Sequence, residues 1–413
     1  MFLQVRRRSS QGAGGSLVTP HEFPNAPPIP GSPLPLTGMV IATAGADAPA
    51  LTPNANGDIA TDPAPRRPMQ LITQSRLACL RRCPRQHYYR YELGLARDRE
   101  KAYLRLGSAF HKGLELRGQS LPAADAIGQA LAGYETTPPG FDEYEWAVER
   151  ITVQQLLAGY YWRYENDNLA AIATEQSYEL DHRNPETGGL SRTFKRAGKI
   201  DVLVTLDDGR LAVHEYKTAG ESILPDAPYW LRLRADSQVS TYMLAARAMG
   251  HDVRAVIYDV TRKPTIEPRN IPLLDADGLK IVLDANGNRV MTKQGKPRQT
   301  GSTEDGYTLQ TRPETPEEYG ERLLKDIGDR PDYYYARREV PRTDADLEEA
   351  DLEIWQQSEM LRWHQRTGHW FRNVSAMNCN HCEFNGPCLE GISVSRENPP
   401  VGFVALDDVH PEL

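Results

Sequence analysis

The segment from Arg196 to Thr218 constrains the fold more than any other stretch of the chain. Two runs rich in apolar residues, Lys199 to Leu206 and Arg210 to Tyr216, flank the sequence Asp207-Asp208-Gly209. An Asp-Gly pair between two such runs is a tight-turn signal. The segment therefore predicts a β-hairpin.

Three ionisable side chains of this hairpin are predicted to meet. Asp201 lies on the first strand, and Glu215 and Lys217 lie at the end of the second. Alternation along a strand puts Glu215 and Lys217 on one face and Tyr216 on the other. Two carboxylates beside an ammonium suit a hard divalent cation next to a phosphate, with the lysine orienting or activating a water. The alternative is a hairpin whose charges face solvent, as is common.

Composition sets broad limits. The chain has 413 residues, enough to bury a large core, and a formal net charge of −8. This charge argues against a protein that coats nucleic acid nonspecifically, although a basic groove can exist on an acidic protein. No apolar run has the length of a membrane span, and no export signal follows Arg6-Arg7-Arg8. We expect a cytoplasmic protein.

The chain divides into segments of different character. Residues 1–68 are dense in Pro, Gly and Ala and predict a disordered extension. Residues 69–170 read as a helical region, with a helix from Leu71 interrupted at Pro84. Residues 171–264 contain the predicted strands, 265–312 form a polar insertion with a second hairpin at Asn286-Gly287, and 313–392 form C-terminal helices. We see no internal repeat.

Two further helices carry polar residues at helical spacing. His111 and Glu115 are four apart in the predicted helix from Arg105 to Arg117, and Gln238 and Tyr242 are four apart in the next, Ser237 to Met249. An isolated histidine of this kind is more often an ordinary surface or half-buried residue than a ligand.

The stretch from Tyr333 to Arg338 allows two interpretations. Tyr334 could stack on bases while Arg337 and Arg338 hold phosphate. More often such a stretch is an edge strand with aromatic packing.

Three cysteines crowd into one short polar loop. Cys379, Cys382 and Cys388 form the pattern C-x2-C-x5-C, which lets backbone turns present several sulfurs to one metal. A four-thiolate site needs a fourth ligand, and Cys79 and Cys83 are the other thiols of the chain. His381 is an alternative ligand of the kind found in zinc sites, although its place between two cysteines makes chelation awkward.

Taken together, these motifs resemble the RecB-like, iron–sulfur branch of the PD-(D/E)XK nuclease superfamily, similar to CRISPR-associated and phage or prophage nucleases. The motifs that match in order are Gly107-x3-His111-x2-Leu-Glu115, Gly198-x2-Asp201, Glu215-x-Lys217, Gln238-x3-Tyr242, and Cys83-Pro84 with the distal cysteines. The resemblance runs from about Leu71 to Leu389. It implies a restriction-endonuclease-like α/β fold, with a mixed central sheet flanked by helices, an N-terminal helical cap and a C-terminal cysteine cluster.

The resemblance also implies roles for individual residues. His111, Asp201, Glu215 and the Tyr216 carbonyl would bind Mg²⁺ or Mn²⁺, and Lys217 would position the attacking water. Gln238 and Tyr242 would orient DNA or the lysine. A second set, Cys83, Cys379, Cys382 and Cys388, would hold a 4Fe-4S cluster, with zinc as the alternative metal and Cys79 as the alternative fourth ligand.

The sequence hypothesis is a metal-dependent DNA exonuclease of recombination, repair or CRISPR adaptation. A non-catalytic DNA-binding accessory protein with the same fold is one alternative, although it would not need the complete set of His, Asp, Glu and Lys. A zinc-stabilised endonuclease and a redox protein centred on the cluster are the others.

Overall fold

The computed structural model describes residues 68–99, 101–167, 169–411 and 413. The predicted N-terminal extension, residues 1–68, lies outside these ranges except for Pro68. The elements of the remaining chain alternate between helices and strands. The strands are β1 (Gln70–Ile72), β2 (Leu95–Arg97), β3 (Ala170–Arg183), β4 (Leu190–Thr205), β5 (Leu211–Ala219), β6 (Val253–Arg262), β7 (Asn270–Pro272), β8 (Val282–Leu283), β9 (Thr308–Leu309), β10 (Thr311–Pro313), β11 (Tyr335–Pro341) and β12 (Phe403–Ala405). The α-helices are α1 (Gln74–Arg82), α2 (Pro84–His87), α3 (Ala102–Gly118), α4 (Ala123–Ala130), α5 (Glu143–Arg163), α6 (Pro228–Arg232), α7 (Ser237–Ala248), α8 (Pro316–Asp329), α9 (Pro331–Tyr334), α10 (Asp344–Thr367), α11 (Ala376–Asn380) and α12 (Asn385–Leu389).

A mixed sheet forms the centre of the described chain. β4 is antiparallel to β3 and β5, β5 is parallel to β6, and β11 pairs antiparallel with β6 at the sheet edge. The parallel step from β5 to β6 contains α6 and α7, as such a connection requires a crossover of a dozen or more residues. The predicted fold class, a mixed sheet flanked by helices, is confirmed.

The predicted hairpin is present, and its strands separate where the ionisable residues lie. Gly209 has a φ of +83° in the turn, a conformation that glycine adopts without steric cost. β4 and β5 pair from Thr205/Leu211 to Val202/His214, and no further pair follows. The first part of β4 instead pairs with β1, at residues 194–196. We call the opening between β4 and β5 the fork.

Helices cover both faces of the sheet. On one face, Ile200, Leu203 and Val213 pack into a core with α7, represented by Val239 and Met243. A second core lies between α3, α5 and α8. Its buried residues include Phe110, Leu156 and Leu323, and partly buried Tyr216 packs against it. α3 and α7 therefore reach the fork from different layers.

One of three sequence predictions needs correction. The helix predicted from Leu71 begins later, because residues 70–72 form β1 and Thr73 caps α1 by accepting a hydrogen bond from the Arg76 N–H. In the stretch from Tyr333 to Arg338, Tyr333 and Tyr334 end α9 and Tyr335 opens β11 at the sheet edge, so the edge-strand interpretation holds from Tyr335 onward. The helical interruption at Pro84 is confirmed, since α1 ends at Arg82 and α2 begins at Pro84.

The insertion contains a short structural repeat that the sequence prediction missed. Successive turns are closed by the bridges Leu274–Lys280, Leu283–Arg289 and Met291–Pro297. In the first two, the carboxylates of Asp275 and Asp284 accept hydrogen bonds from backbone N–H groups two and four residues ahead. The hairpin predicted at Asn286-Gly287 is the second of these turns and is confirmed.

In the part of the chain that the structure describes, no helix combines the length and the apolar character needed to cross a membrane.

Candidate active site

The fork brings the two acids and the lysine of the hairpin together. The Asp201 carboxylate accepts a hydrogen bond of 3.0 Å from the Tyr216 N–H, which is the backbone donor left free where the strands separate. Glu215 is 1% exposed, and its carboxylate is in contact with the Lys217 ammonium. The convergence predicted from strand alternation is therefore found in the structure.

Burial and neighbouring charges shift the pKa values of Glu215 and Lys217. The pKa of Glu215 is raised to about 8, first by burial, with the Lys217 ammonium opposing this effect and the Asp201 carboxylate reinforcing it. Burial acts to lower the pKa of Lys217, but the Glu215 and Asp201 carboxylates outweigh it and raise the pKa overall. Because two carboxylates at one point resist double ionisation, the pair retains a proton near neutral pH unless a cation replaces it.

Side chains of α7 hold Glu215 in place through hydrogen bonds. The Gln238 amide donates to Glu215 Oε1 at 3.2 Å and to the Tyr242 hydroxyl at 2.7 Å. Asp236 begins this helix by accepting a hydrogen bond from the Gln238 N–H. The four-residue spacing of Gln238 and Tyr242 therefore places both side chains on the helix face that contacts the acid.

α3 places the His111 side chain at the fork, near Asp201 and Lys217. The pKa of His111 is lowered, first by burial, with Asp201 opposing and Lys217 reinforcing that effect. Its ring is perpendicular to Tyr216, with centroids 6.5 Å apart. One turn earlier, a Cβ on Gly107 would lie 3.3 Å from Thr218 Oγ1, so a small residue there lets α3 approach the end of β5.

Gly198 of the Gly-x-x-Asp motif has a packing role. The Tyr178 side chain of β3 lies where a Cβ on Gly198 would stand, and its hydroxyl would overlap that atom. The lack of a side chain at Gly198 therefore lets the Tyr178 ring pack over β4, three residues before Asp201.

A cavity of about 810 Å³ opens beside His111 and Asp201. Besides these residues, its wall is rich in aromatic side chains and carries one arginine from β11: Tyr160, Tyr161, Trp162, Tyr164, Tyr216 and Arg337 line it. The cavity is large enough for part of a substrate to reach His111 and Asp201.

A buried polar cluster next to the cavity was missed by the sequence analysis. Asp259 on β6 is 1% exposed, and its Oδ2 accepts hydrogen bonds from the Tyr160 hydroxyl at 2.6 Å and from Arg337 at 2.6 and 2.8 Å. His214 Nε2 lies 3.0 Å from the same oxygen. An acid inside the apolar run AVIYDV was the available signal, because such an acid requires partners.

One of the three predicted DNA contacts needs correction. Tyr334 is 0% exposed and its hydroxyl contacts Asp326, so its ring is not presented to a base. Arg337 lines the cavity, where Asp259 and Asp167 hold it in ion pairs. Arg338 donates to the Pro225 carbonyl and lies over the Trp230 ring. DNA contacts by Arg337 and Arg338 stay predictions.

The residues at the fork suit a divalent cation. Glu215 Oε2 is buried without a hydrogen-bond partner, and carboxylate oxygens are ligands that Mg²⁺ and Mn²⁺ prefer. Within the described ranges, however, no three His, Cys, Asp or Glu side chains stand in a coordinating arrangement. Ligation by these residues is therefore a proposal.

Four of the five cysteines line one small cavity. Cys83 at the start of α2 meets Cys379, Cys382 and Cys388, whereas Cys79 does not border this cavity. The Asn373 N–H donates to Cys83 Sγ at 3.4 Å. Hydrogen-bond donors of this kind stabilise thiolate ligands. The cysteines of the described chain do not stand in a coordinating arrangement either, so a metal bound by these thiolates is also a proposal.

Cys79 has a different environment. It is buried in α1, and burial raises the pKa of its thiol to about 12. Burial likewise raises the pKa of Cys382, to about 11, so it is the position of Cys79 outside the cavity that sets it apart from the other four cysteines.

Comparison with known proteins agrees with the fold and the site, which together define a nuclease-like α/β protein. The family model of the PD-(D/E)XK nuclease superfamily matches residues 71–389. The chain belongs to the PD-(D/E)XK nuclease superfamily, which makes it a nuclease by class.

Other comparisons add little. No curated protein matches the chain. One solved structure, "Crystal structure of SSO0001", aligns with 79% of this chain and 89% of its own length, at 13% identity and a TM-score of 0.29. A similarity of this strength supports no statement about function.

Proposed function

We propose that this protein is a metal-dependent DNA exonuclease of the RecB-like, iron–sulfur branch of its superfamily. The observation that carries the proposal is the meeting of Asp201, Glu215, Lys217 and His111 at the fork, beside an open cavity. A DNA-binding accessory protein without catalysis has no need for a buried acid pair held against a lysine, since the arrangement is costly unless chemistry requires it.

His111, Asp201, Glu215 and the Tyr216 carbonyl would hold Mg²⁺ or Mn²⁺. When bound, the cation supplies Lewis acidity at the phosphate and lowers the pKa of a bound water. Lys217 keeps its proton because of the adjacent carboxylates, and it orients the water and balances charge on the phosphate. Gln238 and Tyr242 fix the rotamer of Glu215, so they are positioning residues.

The cysteine cavity would hold a 4Fe-4S cluster through Cys83, Cys379, Cys382 and Cys388. The supporting observations are the shared cavity and the Asn373 N–H directed at Cys83. Zinc is the alternative metal for the same thiolates. His381 does not border the cavity, which favours four sulfurs over a mixed ligand set.

DNA is the proposed substrate, in the cytoplasm, within recombination, repair or CRISPR adaptation. The test is Lys217→Met, assayed with Mn²⁺ on linear DNA labelled at one end. We expect kcat to fall by about 100-fold or more, the loss typical of removing a group that stabilises charge in a transition state. The melting temperature should stay close to that of the wild type.

The matched control is Lys195→Met, which removes a lysine paired with Glu179 on the same sheet. This variant should cleave at the wild-type rate. Undiminished cleavage by Lys217→Met would overturn the mechanism. A covalently closed circular DNA distinguishes the exonuclease from an endonuclease, because only an endonuclease cuts it.

A further inference from the structure

A second surface, beside the fork, carries an exposed aromatic ring between two lysines. Tyr103 is 52% exposed in the first turn of α3. The Lys263 Nζ lies 5.2 Å from the centroid of its ring, and the Lys101 Nζ lies 5.9 Å from it. An exposed tyrosine offers a π-face to a base, and flanking ammonium groups offer charge to phosphates.

Lys263, one of the two lysines of this surface, forms no ion pair with an acid in the described chain. Burial lowers the pKa of Lys263, and its ammonium donates to the Tyr103 carbonyl oxygen at 2.8 Å. By contrast, Arg105 in the same groove is paired with Glu149 at 2.7 Å. A half-buried ammonium without a carboxylate is costly, and an anionic ligand would compensate it.

The position of this surface connects it to the active site. The Lys263 N–H donates to the Ala219 carbonyl at 2.8 Å, so Lys263, directly after β6, is fixed beside the residue of β5 that lies two positions beyond Lys217. Tyr103 and His111 lie eight residues apart on α3, a distance of about 12 Å along the helix axis. A strand bound at the fork can therefore reach Tyr103 within a few nucleotides.

The groove at this surface has a volume of about 720 Å³ and also borders on Phe141 and Trp146. Its carboxylates limit how a nucleic acid could bind. Glu145 and Glu267 line the groove too, so a bound strand must keep its phosphates at the lysines. Unpaired bases, which lack charge and have π-faces that stack on aromatic rings, suit the aromatic part of the groove.

We propose that Tyr103 and Lys263, with Lys101, form a subsite for nucleotides that flank the scissile phosphate of single-stranded DNA. The inference rests on the proposed nuclease function and adds the part of the substrate that this surface binds. Tyr103 stacks on an unpaired base, and Lys263 holds an adjacent phosphate. Both act on binding of the flanking strand and not on the reacting atoms.

The test compares Tyr103→Ala and Lys263→Met with the wild-type full chain. Cleavage with Mn²⁺ is measured on oligothymidylates of about four and about twenty nucleotides, a range that brackets typical single-strand site sizes. We expect the ratio of kcat/KM, long over short, to fall at least fivefold in Tyr103→Ala, which corresponds to about 1 kcal/mol for one stacked base. The loss should appear in KM.

Binding of the long oligonucleotide is followed in parallel by fluorescence anisotropy, with chelator present to prevent cleavage. Lys263→Met should weaken binding and reduce its dependence on salt, as the loss of one phosphate contact does. The control is Tyr307→Ala, which removes the ring of another tyrosine–cation pair, with Arg298, on the insertion. This variant should match the wild type.

The outcomes separate the two proposals. If the wild type cleaves and both variants keep the wild-type length ratio and affinity, the subsite is wrong while the nuclease stands. If the wild type cleaves neither oligonucleotide but binds the long one through Tyr103 and Lys263, the subsite stands and the proposed catalysis fails. If Tyr307→Ala loses the same affinity as Tyr103→Ala, the surface is not a specific subsite.

Discussion

At the scale of single residues, His182 shows how neighbours fix a protonation state. Its side chain lies in a buried position on β3. Arg196 donates to Nδ1 at 2.9 Å, so this nitrogen is an acceptor, and Nε2 lies 2.8 Å from the Ser358 hydroxyl. Burial, reinforced by the charges of Arg196 and Arg362, lowers the pKa of His182 to about 3.

This depressed pKa predicts a loss of stability in acid. Below a pH of about 6.5 the unfolded chain protonates His182, while the folded chain does not until about pH 3. The unfolded state then binds more protons, so the free energy of unfolding falls by about 1 kcal/mol per pH unit as the pH drops through this window. His182→Gln, which can keep both hydrogen bonds, should show a shallower fall in urea denaturation between pH 7 and 4.5.

Part of the acid dependence should remain in His182→Gln, because the pKa of a second buried histidine, His87, is also lowered. It is completely buried, and burial together with Arg76 lowers its pKa well below the usual value. The informative quantity is therefore the difference in slope between the wild type and His182→Gln. Equal slopes would contradict the assignment of His182 as a buried neutral group.

The meeting of Asp201, Glu215 and Lys217 was predictable from the sequence because strand alternation is local. The three residues lie within one hairpin, so their meeting follows from a turn and a period of two. The ion pair of Arg337 was not predictable, because its partner Asp259 is 78 residues away. A long-range ion pair leaves no local pattern, so a paired arginine and an unpaired one look the same in sequence.

At the scale of elements, α5 packs closely on α8 and β11 through small residues. A Cβ on Gly159 of α5 would lie 2.5 Å from the Tyr335 hydroxyl and 2.6 Å from Ile327 Cγ2. The same hydroxyl donates to the Leu156 carbonyl at 2.8 Å. On α8, a Cβ on Gly320 would lie 2.5 Å from Ile151 Cγ1. The elements can approach this closely only because both residues lack a side chain.

Gly159→Ala should therefore destabilise the fold by about 1–3 kcal/mol, since overpacking forces neighbours to move. The measurement is the free energy of unfolding from urea titration. The control is Gly128→Ala on α4, where a Cβ would meet nothing within 4 Å. That variant should be unchanged or more stable by about 1 kcal/mol, because alanine favours the helix. If Gly159→Ala is as stable as Gly128→Ala, the close packing is not as described.

The helices and the hairpin were predicted well, while other elements were not. Capping signals and apolar spacing are local, as in Thr315 and Glu318, which form a capping box at α8. β1 has three residues and depends on pairing with β4, so nothing in its own sequence specifies it. The turn repeat of the insertion does have a local signal, in Asp275-x-Asp-Gly278 and Asp284-x-Asn-Gly287.

At the scale of the whole described chain, the cysteine cavity lies where its first and last segments meet. The Arg85 N–H donates to the Phe371 carbonyl at 3.0 Å, and the Asn373 amide donates to the Arg82 carbonyl at 2.9 Å. β12 pairs with β2 a short distance along the chain. The sequence predicted this meeting only through the cysteine count and the resemblance, because contacts across nearly 300 residues have no local signature.

The proposed metal at these cysteines leads to a prediction that separates Cys83 from Cys79. Cys83→Ser should lose the bound metal and lower the melting temperature by on the order of 5 °C or more, because metal binding to the folded state contributes folding free energy. Cys79→Ser should keep the metal, since Cys79 does not border the cavity. Both variants are purified without oxygen, and iron, sulfide and zinc are measured per chain.

The possible results test the ligand assignment, the identity of the metal and its contribution to stability separately. Metal loss in Cys79→Ser with retention in Cys83→Ser would contradict the ligand assignment. Colourless protein with one zinc per chain would keep the thiolate site and overturn the iron–sulfur cluster. If neither metal accompanies the wild type, contacts such as those of Asn373 and the β2–β12 pair must hold the segments together alone. The melting temperature of Cys83→Ser should then equal that of the wild type.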